Sequence, residues 1–88
     1  MLIKLIEITR DPTGVSGLKE IYVNSSHIIS ISEELSEQPL IKESLGLSED
    51  IALSSVLLSE GQSARRATVI GSPSEINSKV KRRQVLRG

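Results

Sequence analysis

Eighty-eight residues suffice for one domain, and with no cysteine in the chain neither a disulfide nor a thiolate-metal site can staple it. Ile, Leu and Val total 28 against a single aromatic, Tyr22, which counts against the base-stacking platforms of RRM-like and single-strand-binding modules. Net charge is zero, but residues 79–88 carry +5 and residues 1–78 carry −5, a split that suits an acidic partner or pairing of tail and body between subunits.

The first segment, residues 2–9, is short, rich in β-branched residues and apolar at both parities, which predicts a strand buried on two sides. Residues 10–17 hold Asp11-Pro12, Gly14 and Gly17 and predict a long loop. Residues 18–24 predict a second strand forming a hairpin with the first. Asn24-Ser25-Ser26-His27 interrupts the pattern, since Asn and Ser side chains bond nearby backbone amides and hold tight turns. Residues 28–33 resume as a strand, with Ile29 and Ile31 alternating against Ser30 and Ser32.

Residues 34–50 are acidic and contain Pro39 and Gly46. They predict an insert loop with a short helical turn opened by Pro39 and capped by Gly46. Residues 51–59 and 64–70 predict a fourth and fifth strand around the hairpin loop of residues 60–63. Ser72-Pro73-Ser74-Glu75 predicts a helix start: Ser72 caps, Pro73 fits the first turn, and Glu75 reaches back to complete a capping box. That helix should run to about Arg83 with Ile76 and Val80 on its packed stripe.

The expected fold class is therefore mainly β (α+β). It comprises about five antiparallel strands in a bent sheet or small open barrel, with one C-terminal helix over one face or end. Residues 1–83 form one domain and residues 84–88 a basic tail. No apolar run approaches the roughly 18 residues of a membrane span. Met1 to Lys4 does not resemble a signal peptide, so the expected location is cytoplasmic, with no membrane partner.

Catalytic chemistry finds little to build on. His27 is the sole histidine and sits in a turn, without the base-and-orienter context a serine nucleophile needs. The carboxylate pairs Glu33-Glu34 and Glu49-Asp50 fall in a polar stretch, which suits solvation rather than acid–base work. Phosphate-loop and calcium-loop spacings are absent, so no cofactor or metal is expected and the chain is read as no enzyme. The candidate binding residues are basic: Arg65, Arg66, Lys79, Lys81, Arg82, Arg83 and Arg87, a footprint able to neutralise phosphates. Helix-terminal cations also complement the helix dipole, which is the structural account of the same residues. Arg65 and Arg66 are neighbours on a strand, so only one can face any given groove.

The run from Ile21 through Tyr22-Val23-Asn24-Ser25-Ser26-His27 to Ile31 resembles the opening of small bacterial proteins of the FlbD type. Thr68-Val69-Ile70-Gly71-Ser72-Pro73-Ser74-Glu75-Ile76 is similar to that family's strand-to-helix end. Those proteins associate with flagellar gene clusters. The chain also resembles small proteins of unassigned function carried by tailed marine phages, including the closing Lys81-Arg82-Arg83-Gln84-Val85-Leu86-Arg87-Gly88. A weaker similarity links Val23 to Ile31 and Arg65 to Ile70 with RemA-type DNA-binding regulators. None of these resemblances implies catalytic residues.

Two functions follow as expectations. One is a non-catalytic assembly or interaction protein, phage-encoded or from a similar setting, that buries its sheet edges in a homo-oligomer. The alternative is a nucleic-acid-binding regulator using the basic helix and tail, for which an acidic protein surface is a second partner class.

Overall fold

A computed structural model describes the backbone of residues 2–87 and the side chains of residues 2–81. Strands β1 (Leu2–Asp11) and β2 (Gly14–Asn24) form a hairpin. A 3₁₀ helix (Ser25–His27) leads into β3 (Ile28–Glu33), and α1 (Gln38–Leu45) follows. A second hairpin, β4 (Leu53–Glu60) and β5 (Ser63–Ile70), precedes α2 (Pro73–Arg87). All strand pairs are antiparallel, in one open sheet ordered β2-β1-β5-β4-β3.

The two edge strands are consecutive in sequence. Asn24 accepts from the Ser26 amide (3.1 Å) and the Ser26 hydroxyl (2.8 Å), and this side-chain cap starts the 3₁₀ turn. Edge strands of a flat five-stranded sheet would stand about 19 Å apart. A fully extended path from Asn24 to Ile28 reaches only about 14 Å, and a 3₁₀ path less. The sheet is therefore curled, and β2 and β3 contribute to one core. Ile21 and Val23 of β2, and Ile28 and Ile31 of β3, pack around Ile3, Leu5, Val56, Leu58, Ala67, Val69 and Ile76 on the concave face.

Helix α2 plugs this concave face. Its start is the expected capping box: the Glu75 amide donates to Ser72 Oγ (3.1 Å) and the Ser72 amide to Glu75 Oε1 (3.4 Å). Ile76 is buried and Val80 packs beside it. The Ser54 hydroxyl donates to the Gly71 carbonyl (2.6 Å) and fixes where the chain leaves the sheet. Gly71, at φ +122°, makes the bend that a side chain would strain.

Several expectations are corrected. There are two α-helices rather than one C-terminal helix. The insert of residues 34–50 contains α1, because Ile41 is fully buried against Ile8 and Leu53 on the convex face and draws the segment down. Pro39 lies in its first turn and Gly46 ends it in the left-handed region (φ +65°). The loop of residues 10–17 shrinks to Pro12-Thr13: Asp11 accepts from the Thr13 amide (2.9 Å) and hydroxyl (2.5 Å), and these bonds hold its carboxyl below the usual carboxylate range. β1 is buried on both faces only near Ile8; Leu2 and Lys4 are exposed because α1 does not reach them. Helix α2 also passes the predicted end near Arg83. Side chains of residues 82–88, the basic tail included, lie outside the described residues.

Candidate functional site

The binding geometry lies where β3 faces α2. A groove of about 470 Å³ runs between them, lined by aliphatic Ile28, Ile29, Ile31 and Val80 and by polar Ser30 and Asn77 among others. Ile29 sits at a register shift in the β3–β4 ladder and is 56% exposed, an extra residue that the ladder pushes outward.

One hydrogen bond fixes which backbone groups β3 offers. The Glu34 amide donates to the Leu53 carbonyl (3.1 Å), so Glu34 bonds toward β4. Antiparallel ladders alternate, so Ser32 opposite Ser55 and Ser30 opposite Leu57 also bond toward β4. Ile31 and Glu33 lie between, and their amides and carbonyls point out of the free edge. No β-strand pairs with that edge among the described residues.

Helix α2 gives the groove a polarity. It leaves the sheet at Gly71, bonded to Ser54, and Ser54 stands opposite Glu33. By Lys79 it has reached the start of β1, where Lys79 Nζ donates to the Lys4 carbonyl (3.1 Å). That end of β1 pairs with Tyr22 to Asn24, next to the 3₁₀ turn. The helix thus travels from the Glu33 end of β3 toward the Ile28 end. From Glu33 to Asp50 the sequence carries six carboxylates and one lysine, whereas from Lys79 onward it carries only cations. Of these charges, Glu33 ends β3 at one end of the groove and Lys81 follows the lining residue Val80 at the other.

The basic candidates separate. Arg65 has the parity of core residues Ala67 and Val69 and faces inward, where it bonds Glu7 (2.6 Å) and approaches Glu60 (3.4 Å). Arg66 faces outward and donates to Ser55 Oγ (2.9 Å). Both arginines are engaged within the chain, and neither lines the groove. Lys79 and Lys81 are exposed on α2. The side chains of Arg82, Arg83 and Arg87 lie outside the described residues. His27 and Tyr22 share a second cleft of about 440 Å³ with Arg65, at the end of the concave face. Among the described residues no three His, Cys, Asp or Glu side chains are grouped to hold a metal, and no helix is long and apolar enough to cross a membrane.

The sequence marks residues 28–33 as a strand but assigns it no role. The only signal is the isoleucine–serine pattern of Ile29 to Ser32; neither the bulge that turns Ile29 outward nor the path of α2 is readable from it. A scan against protein-family models and searches of curated proteins and solved structures return no match.

Proposed function

We propose that the chain is a non-catalytic interaction module that takes up an extended segment as an added strand on β3, packed against α2. The outward-facing amides and carbonyls of Ile31 and Glu33, beside an aliphatic groove, carry this reading. Main-chain bonds supply affinity in strand addition, and pockets for alternate side chains supply specificity. The groove offers hydroxyl, amide and aliphatic groups, which hold a backbone rather than activate a nucleophile.

The test is selection from a displayed library of unstructured peptides on the full chain, followed by amide-shift mapping. Selected peptides should perturb Ile31, Glu33, Asn77 and Val80. Failure to select a peptide, or peptides that perturb only other surfaces, would overturn the proposal.

The charge split favours a second reading, nucleic-acid binding through Lys79, Lys81 and the cationic residues after them. Gel-shift titration should then show affinity that falls steeply with salt and drops when residues 79–88 are removed. No binding at low salt eliminates it.

A further inference from the structure

We infer that the strand received by β3 is β3 of a second copy, joined about a two-fold axis centred on Ile31. The inference rests on the strand-addition reading and names its occupant. Three observations support it. First, the outward groups belong to Ile31 and Glu33, so an antiparallel copy centred on Ile31 exchanges both Ile31 bonds with itself and leaves each β3–β4 ladder intact. Second, β3 ends on the acidic Glu33, while α2 carries the exposed Lys81 as it reaches the other end of the strand. A two-fold axis lays the acidic end of each copy beside the basic end of the other, so the contact is satisfied twice. Third, Glu33 has the parity of Ile31 and stands opposite Ser54, whose hydroxyl meets the start of α2. Its side chain therefore projects on the helix-bearing face, where the second copy brings Lys81, four residues after the groove-lining Asn77.

The other free edge does not offer this match. β2 carries Lys19 and Glu20 in adjacent positions, and Lys4 already pairs with Glu20 (3.6 Å). Self-pairing there gains no separation of acid from base. On β3 the result is a continuous ten-strand sheet with both α2 helices on one face.

The test uses the full chain, which has no cysteine to complicate association. Sedimentation velocity should report twice the 9.6 kDa chain mass, with the dimer weakened by salt. Glu33→Lys alone and Lys81→Glu alone should each weaken it about tenfold by setting like charges together. An equal mixture of the two single variants should restore it, because each contact then joins opposite charges. Glu33→Pro removes an outward amide without touching the β4 ladder and should give a folded monomer by circular dichroism. If that variant unfolds, the mixing experiment on exposed side chains decides.

A wild-type monomer at all concentrations, or a dimer indifferent to both reversals, would overturn the inference. So would a mixture that associates no better than its components. A monomer that still takes selected peptides at Ile31 and Glu33 would sink the self-pairing and leave the strand-addition proposal standing.

Discussion

The two seams of β5 differ. Toward β4 the ladder is regular from Ser63 to Ile70, with every residue paired. Toward β1 it is a single bridge, Glu7 opposite Val69. The β1–β2 hairpin is therefore held to the rest of the sheet mainly by side chains. Ile3 and Leu5 join the concave core, Ile8 joins the convex one, Glu7 receives Arg65, and the Lys4 carbonyl receives Lys79. Where a backbone ladder is thin, packing and a half-buried ion pair supply the attachment, and such a seam opens before a continuous one.

The most severe way to break that contrast is Leu5→Ala. Leu5 is almost fully buried, and its truncation should cost about 2–5 kcal/mol in denaturant unfolding. Native-state hydrogen exchange should show β1 amides opening at lower free energy than β4 and β5 amides, with the gap widened in this variant. Uniform protection across both seams would refute the distinction. Arg65→Ala comes next. Arg65 is substantially exposed, so the pair itself is screened, but Glu7 would be left largely buried without its cation; a loss of about 1–2 kcal/mol is expected. Lys substitution should recover part of it, since a point charge replaces the guanidinium fork.

Ser72→Ala removes the cap of α2, the helix that touches both units, and should cost about 1 kcal/mol. The loss should spread over both hairpins, because Ile76 packs against residues from each. The smallest effect belongs to the β1–β2 turn. Asp11 is held below its ordinary value of 3.8 first by the Thr13 hydroxyl, then by backbone amides. A folded-state value below the unfolded one means that the turn's support is present above the unfolded value. It is lost as pH falls through the folded one. Carbon-13 titration of Asp11 should find a depressed midpoint, and Thr13→Val should move it upward; an unchanged midpoint would show that the hydroxyl has no part.

The strands were legible in the sequence as aliphatic runs bounded by turn residues, although β1 and β4 are apolar at both parities and a bulge at Ile29 breaks the alternation of β3, and Ser72 to Glu75 declared its helix through local chemistry. Helix α1 was read only as a short turn between Pro39 and Gly46, because its packed stripe is just Ile41 and Leu45 while Leu40 is 59% exposed. The turn at Pro12-Thr13 was overestimated because Gly14 and Gly17 read as loop, although both lie in β2. Alternation placed Arg65 and Arg66 on opposite faces, but the inward one is identified only by the burial of Ala67 and Val69. The groove was hidden for a deeper reason. It depends on which edge α2 approaches, and that is set by contacts such as Lys79 with Lys4, 75 residues apart.

The thin seam also bears on how the chain reaches its native state. Each hairpin closes through a short turn, Pro12-Thr13 or Gly61-Gln62, so each is a local event. Bringing Arg65 to Glu7 joins residues 58 positions apart, and loop entropy makes that encounter the slow one. Refolding should therefore proceed as two preformed pieces meeting, with docking of β1 on β5 as the final clasp.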